Sequence, residues 1–412
     1  MRVVIVGGGF AGTFLAYYLC EMKASLPGLE IILISRTNYL LFQPFMVEAI
    51  TGDIDIRHLI SPLRAMLNYP CVDIRTTDAE SVDFNRRIVY TSNGTVSYDK
   101  LIVATGSETN FYGIPGAKES CLELKQLKDV LIIRNTLLKS FERANIEENK
   151  ETQSRHLTFA VIGAGPTGVE LATGMCEFIH ETLLKYYHRV HIEAINILLI
   201  DAAPRLLPGF ETSLVEWAEN RIKHMNIKLM LNHKVQKIDG DIIEFTNGSS
   251  IEARTIIWTA GIQASSFVRS MGLPYDHLGR LSVDSKLKLP NRPDVFVLGD
   301  AARAINLKTG EPLPPEGQVA LQQAKYVANL LVAEQEGRPY PAFKFIRLGR
   351  LASLGSKNAI TQILWFRFKG FKAWWLWRSV YLFRYRGMRN KLRILFDWTF
   401  SLFFDRDISL IE

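Results

Sequence analysis

Two short apolar runs each end in a glycine turn, and this pair constrains the fold more than any other feature of the chain. Residues 3–12 read VVIVGGGFAG, with Gly7, Gly9 and Gly12 at GxGxxG spacing. Residues 159–170 read FAVIGAGPTGVE, with Gly163, Gly165 and Gly168 at the same spacing. In such a turn a strand bends sharply into a helix. The first glycine permits the bend, the second lets backbone N–H groups approach a pyrophosphate, and the third lets the helix pack close to the strand. One such motif is weak, because glycine turns are common. Two copies, each behind an apolar strand and ahead of an apolar helix, predict two Rossmann-like βαβ units in an α/β chain. Phe10 and Ala11 open the first helix; Pro166 and Thr167 open the second.

The order of the remaining runs predicts a split first domain. Strand IILIS (31–35) belongs to the first unit, as does YDKLIVATGS (98–107), a buried strand ending in a glycine loop. A charged helical connector follows at 122–150. The second unit runs from 157 to about 263, with strands ILLID (197–201) and TIIWTAG (255–261). NRPDVFVLGDAAR (291–303) then reads as a strand ending at a carboxylate, and 314–331 as a helix. The first unit thus closes only after the second is complete, as when one βαβ domain is inserted in another. The boundaries expected from this order are 1–115 with 285–340 for one domain and 116–284 for the other, with 341–412 as a C-terminal region. A chain of 412 residues can bury cores for two or three domains. Residues 3–20 carry no charge and match a membrane span in length. A strand–turn–helix explains their glycines; a span does not. No later segment is long and apolar enough to cross a bilayer, and no export signal is expected.

The net charge of +7 sits in the tail. Residues 357–396 hold ten Lys or Arg and no Asp or Glu, which leaves −3 for the rest. Five of the seven tryptophans (Trp365, Trp374, Trp375, Trp377, Trp398) fall in the tail from 357 onward. Trp suits the headgroup region and Lys/Arg suit anionic lipid. From about 386, Arg386, Asn390, Arg393, Asp397 and Ser401 form a polar stripe opposite Leu392, Leu395, Phe396, Leu402 and Phe403, which is an amphipathic helix. Such a segment could instead bind nucleic acid or form a homodimer interface; the weight of Trp and Leu favours an anionic lipid surface, met by 365–404. The cysteines, Cys20, Cys71, Cys121 and Cys176, contain no CxxC. They read as four inert core thiols, no disulfide framework is implied, and no metal site is expected.

The whole chain resembles the type II NADH dehydrogenases, single-subunit NADH:quinone oxidoreductases of the two-dinucleotide-binding-domain flavoproteins. The resemblance rests on VVIVGGGFAG, NYLLFQP, LIVATGS, VIGAGPTGVELA, DAAPRLLP, TIIWTAGIQAS, VFVLGDAA, QVALQQA and GFKAWWLWRSVYLFRYRGMRNKLRILFDW. It implies FAD at Gly7, Gly9 and Gly12, with Asp300 and Ala301 at the ribityl chain, Thr105 and Gly106 closing over the flavin, and Pro44 near its ring. It implies NADH at Gly163, Gly165 and Gly168. Asp201 would accept the 2′-hydroxyl and repel a 2′-phosphate, so that NADH is preferred. Ala260 and Gly261 would admit the nicotinamide. Glu170 would serve nicotinamide positioning or proton transfer. Gln318 and Gln322, one helical turn apart, would face the quinone. Asp300 and Asp201 also suit plainer duties, as a helix cap and a turn residue.

Two positions depart from the family pattern. Ser35, followed by Arg36, stands where many such folds place an acid for the adenosine ribose. Glu316–Gly317 precedes Gln318 where a Thr–Ala pair is usual, which alters the expected quinone pocket. The nearest rival chemistry, that of the sulfide:quinone oxidoreductases, needs a redox cysteine pair near the flavin. A nucleotide-binding redox sensor is the rival of another class. The expected location is peripheral, on the cytoplasmic face of the cell membrane, with no proton pumping.

Overall fold

The computed structural model describes residues 1–411. The chain forms two compact units. Unit 1 comprises Met1–Leu41, Ile60–Glu108 and Ile262–Arg347; unit 2 comprises Phe42–Leu59, Thr109–Gly261 and Leu348–Glu412.

Unit 1 is built on a six-stranded sheet. Across it run Lys288–Leu289, Arg292–Val297, Lys100–Val103, Arg2–Val6, Glu30–Ser35 and Val72–Thr76. All neighbours are parallel except the first pair. Val3 to Val6 are all buried, the continuous apolar pattern of a parallel strand covered on both faces. Helices Phe10–Glu21 and Gly317–Gln335 pack one face through Phe14, Leu15, Leu19, Val327 and Leu331. The other face meets Val89 and Val96 of a three-stranded antiparallel sheet, together with Tyr98, Phe267 and Val268. The split read from sequence is present: Arg292–Val297 joins Lys100–Val103 in register Val295↔Leu101.

Unit 2 repeats the plan. Its five-stranded parallel sheet runs Leu122–Glu123, Thr255–Trp258, Thr158–Ile162, Asn196–Ile200 and Lys228–Met230. The connector expected at 122–150 supplies an edge strand and the helix Leu127–Ile146, whose Gln126 and Asp129 form a reciprocal N-terminal cap.

The compact units are cut differently from the expected boundaries. Residues 42–59 fall in unit 2, and 262–284 fall in unit 1. The C-terminal region differs most. It is not helical throughout: Arg350–Ser353, Ala359–Ile363 and Phe366–Gly370 make an antiparallel sheet ahead of helices Phe371–Arg384 and Met388–Phe400. Nor is it an appendage. Trp377, Tyr385 and Trp398 are buried around Phe45, which touches all three rings. The second helix is amphipathic as expected, and the orientation of its faces is now defined. Asn390 is buried and Asp397 accepts the Asp55 N–H, so the polar stripe faces inward. Leu392, Leu395 and Phe396 are exposed. Among the described residues no helix is long and apolar enough to cross a membrane.

Candidate active site

Each unit holds a glycine cradle. In unit 1, Gly7 takes φ +118°, and a Cβ there would lie 2.2 Å from the Ala104 carbonyl oxygen. A Cβ on Gly12 would lie 1.9 Å from the Gly7 carbonyl oxygen. Around Gly9, at the start of helix Phe10–Glu21, there is open space. Phe10 stacks on Phe14, and Ala11 is buried. The turn Gly299–Ala301 belongs to the same unit. There Asp300 accepts the Ser107 hydroxyl at 2.6 Å, and Ala301 is buried. The Thr105 and Ser265 hydroxyls are 2.7 Å apart, and Gly106 takes φ +67°. Ser35 is buried, and its Oγ accepts the Thr37 N–H at 3.4 Å. Arg36 is exposed and pairs with Asp78 at 2.8 Å.

Gln323 is a residue that sequence reasoning passed over as one polar position among several on its helix. It is 1 % exposed. Its Oε1 accepts the Gly299 N–H at 2.7 Å, holding the turn that carries Asp300. Its Nε2 has no partner. A buried amide donor without a partner costs about 1–3 kcal/mol, which a polar ligand atom would recover.

In unit 2, Gly163 takes φ +111°, and Cβ atoms on Gly163 and Gly168 would lie 2.6 Å from Ala260 Cα and 1.8 Å from the Gly163 oxygen. Gly165 is open, and Pro166 and Thr167 start the helix Pro166–Phe178 with exposed side chains. Asp201 accepts two backbone N–H groups, from Ala164 at 2.6 Å and Ala203 at 2.7 Å. It therefore fastens the strand end to the glycine turn as well as making a local turn. Tyr112, also unforeseen, stands over the Ala260–Gly261 loop. Its hydroxyl lies 3.4 Å from the Ala260 carbonyl and fills the space that a Cβ on Gly261 would need.

Unit 2 also contains a cavity of about 40 Å³, room for roughly three waters. Four carboxylates line it: Glu48, Asp53, Glu170 and Glu177. Pro44 lines it too. Glu170 lies on the helix that follows the glycine cradle. Burial pushes its carboxyl up to about 8, against the opposing pull of the Ser353 N–H (2.9 Å) and the neighbouring Trp377 indole. Glu177, two helical turns on, is also pushed to about 8 by burial, although it accepts the Ser356 N–H and Arg221 is 3.4 Å away. Burial raises Glu48 as well, opposed by the Arg378 guanidinium at 3.1 Å and the Trp398 indole N–H at 3.1 Å. Glu48, Glu177 and Arg378 were not foreseen, because the first and last lie 330 positions apart.

The two helix glutamines of unit 1 have separate tasks. Gln322 exchanges two hydrogen bonds with the backbone of Ile346, at 2.7 and 3.0 Å. Its amide is committed to holding that segment. Gln318 donates to the Glu316 carboxylate, which also binds Arg347 at 2.8 Å.

A family model for the pyridine nucleotide-disulphide oxidoreductases matches residues 1–324, and one for the NDH2 C-terminal domain matches residues 348–407. The type II NADH:quinone oxidoreductase Ndh of Mycobacterium tuberculosis is 31% identical, over 97% of this chain and 87% of its own length. The chain belongs to the type II NADH:quinone oxidoreductases. Among solved folds, NDH2 of Plasmodium falciparum, crystallised with NADH, superposes with a TM-score of 0.91 at 20% identity, covering 99% of both chains. The sulfide:quinone oxidoreductase of Aquifex aeolicus superposes with a TM-score of 0.74 at 21% identity, over 98% of this chain and 95% of that one. Membership in this family accounts for the doubled cradle and for a C-terminal region built into unit 2.

Proposed function

We propose that the chain is an FAD-dependent oxidoreductase that takes hydride from NADH and passes electrons to a membrane quinone without pumping protons. The observation that carries this reading is the pairing, in one chain of this family, of two glycine cradles with the C-terminal domain at 348–407. Unit 1 is the FAD unit. Its cradle has room only for backbone beside a pyrophosphate, and the unpartnered Gln323 Nε2 beside the Asp300 turn suits a polar cofactor. Gly7, Gly9 and Gly12 hold the pyrophosphate at the helix N-terminus, Ser35 meets the adenosine ribose, and Asp300 holds the ribityl chain. Bound FAD supplies the two-electron carrier between donor and acceptor.

Unit 2 holds NADH at Gly163, Gly165 and Gly168. Asp201 accepts the ribose hydroxyl, and the small Ala260 and Gly261 leave room for the nicotinamide. Glu170 keeps its proton at pH 7, since its carboxyl is pushed to about 8. A neutral buried acid can donate a hydrogen bond or release a proton into the water-sized cavity. Gln318 offers its amide to the quinone carbonyl, and Gln322 supports that end by fixing Ile346. The exposed Trp365, Trp375, Phe383 and Phe396 form the lipid-facing surface, with the basic tail answering anionic headgroups on the cytoplasmic side. Sulfide:quinone chemistry is disfavoured, because all four cysteines precede residue 177.

Stopped-flow mixing with NADH tests the reading: flavin absorbance near 450 nm, roughly where bound flavins absorb, bleaches and then recovers with a soluble quinone. A reduced flavin that ignores quinone refutes it. Gln318→Ala is expected to slow recovery more than bleaching. Replacing Trp375, Phe383 and Phe396 by serine is expected to release the protein from anionic vesicles; unchanged vesicle binding, or a change in dimer content instead, assigns that face to a homodimer.

A further inference from the structure

Cys20 and Cys71 stand 51 positions apart in sequence, yet their Sγ atoms are 3.4 Å apart. Cys20 lies in the last turn of helix Phe10–Glu21 and is 6 % exposed. Cys71 is half-buried and immediately precedes the edge strand Val72–Thr76. Both backbones are fixed. The Cys71 carbonyl accepts the Ile31 N–H at 2.8 Å. The loop before it is tied to the helix by the Tyr69 hydroxyl, which donates to Glu21 at 2.7 Å, and by the Tyr17–Tyr69 ring contact. Closing the sulfurs to a covalent distance of about 2.05 Å therefore asks for side-chain rotation within a held frame.

The other two cysteines contrast with this pair. Cys121 and Cys176 are buried with no second thiol beside them, and burial raises both thiols to about 12, as it also raises Cys20. Cys71 instead opens to a surface cleft that is also lined by Lys23 and by the ion pairs Arg2–Glu30 and Arg75–Asp73. Burial and the neighbouring Cys71 and Glu21 raise the Cys20 thiol, and the Lys23 charge offsets only part of that rise. An accessible thiol with a second thiol in reach is the arrangement in which peroxide oxidation ends as a disulfide rather than as a higher oxide.

We propose that Cys20 and Cys71 are a peroxide-oxidisable pair, with Cys71 as the attacked thiol and Cys20 as the resolving one. The Cys71 thiolate attacks one oxygen of hydrogen peroxide; an S–O bond forms, the O–O bond breaks, and hydroxide leaves to be protonated to water. The Cys20 thiolate then attacks the Cys71 sulfur; an S–S bond forms, the S–O bond breaks, and the departing hydroxide takes the proton that Cys20 gave up. Two thiols lose two protons and two electrons, and the peroxide becomes two waters. A dithiol reductant reverses the change. The bond joins the helix that rises from the Gly9 turn to an edge strand of the same sheet. This chemistry is independent of the proposed electron path.

The test treats the full-length protein with hydrogen peroxide, blocks remaining thiols by alkylation, and maps peptides without reduction. The expected product links the Cys20 and Cys71 peptides, lighter by two hydrogens, and forms at least about tenfold faster than any change at Cys121 or Cys176. Oxidised protein melts several degrees higher, because the closed loop restricts the unfolded chain. In Cys20→Ser, Cys71 is trapped as a sulfenic acid by a dimedone probe; in Cys71→Ser, no linked peptide forms. The proposal is overturned if wild-type Cys71 goes to sulfinic acid while Cys20 stays alkylatable, if Cys121 or Cys176 reacts first, or if no cysteine reacts. The wild-type mapping decides the matter even where a variant fails to fold.

Discussion

In unit 1 the missing Cβ of the third cradle glycine, Gly12, would fall 1.9 Å from the Gly7 carbonyl oxygen; in unit 2 the same vector from Gly168 falls 1.8 Å from Gly163. The first glycines match as well, both in the left-handed region and both pressed against the next strand. Beyond these contacts the two cradles part. The middle of the first turn is Gly8, where a Cβ would come within 2.3 Å of the Ser35 Oγ. The middle of the second is Ala164, whose N–H is held by Asp201. Two positions past the third glycine, unit 1 buries Phe14 and unit 2 places Glu170 on a cavity. What the backbone demands is therefore written twice in nearly the same letters. What the ligand and the chemistry demand is written differently in each unit.

The comparison is broken most severely at the shared glycines. Gly12→Val and Gly168→Val drive side-chain atoms into backbone that cannot yield. Gly12→Val is expected to purify without flavin colour. Gly168→Val should keep its flavin spectrum but lose at least about 100-fold in kcat/KM for NADH, since a displaced turn forfeits several charge-assisted bonds. If both variants lose flavin, the assignment of one ligand to each cradle fails. The next effect is at the divergent ribose ends. Asp201→Ala should raise KM for NADH about tenfold, the loss of one hydrogen bond to a charged group, and should narrow the preference over NADPH. An unchanged NADH:NADPH ratio would leave Asp201 with only its backbone duties.

Glu170 sharpens the contrast through pH. Its ordinary value is 4.5 and the folded value is about 8. Between these values the folded protein retains a proton that the unfolded chain has released, so this group's contribution to stability falls as pH rises from 4.5 to 8. Glu170→Gln should melt a few degrees higher than wild type at pH 9, with the gap closing at pH 5. A constant gap would mean that the carboxyl is not held protonated. The smallest effect is expected at Arg36→Ala, which removes an exposed pair with Asp78 and should change stability by less than about 1 kcal/mol by denaturant titration.

Much of the fold was legible because its signals are local. The apolar run Val3–Val6 followed by glycines, and the run Val295–Leu298 ending at Gly299–Asp300, each carry strand and turn in adjacent letters. The late closing strand was legible from order alone. The C-terminal sheet was not, because the strand Ala359–Ile363 is short and shows no in–out alternation, its first three residues being buried in succession. Nor did spacing show which stripe of helix Met388–Phe400 faces inward; that is set by Asp55 and His58, both of which bond to Asp397. At the site, the glycine cradles could be read, whereas the cavity could not. Its carboxylates come from segments that only the folded chain assembles, and Gln323 shows its role only when Gly299 arrives beside it.

The pairing of Glu48 with Arg378 and Trp398 has a consequence for synthesis. A ribosome delivers Glu48 some 330 residues before Arg378 and 350 before Trp398. Until then a carboxylate destined for burial has no counter-charge, so the segment 42–59 docks early only on its contacts with Lys125 and Arg134. Unit 1 has every strand of its six-stranded sheet once residue 297 is made and all its chain by 347, whereas unit 2 waits for the tail. Domains that emerge whole tend to fold in order of emergence. Here unit 1 can close first, while the early segment 42–59 completes its contacts only when the much later residues 378–398 arrive.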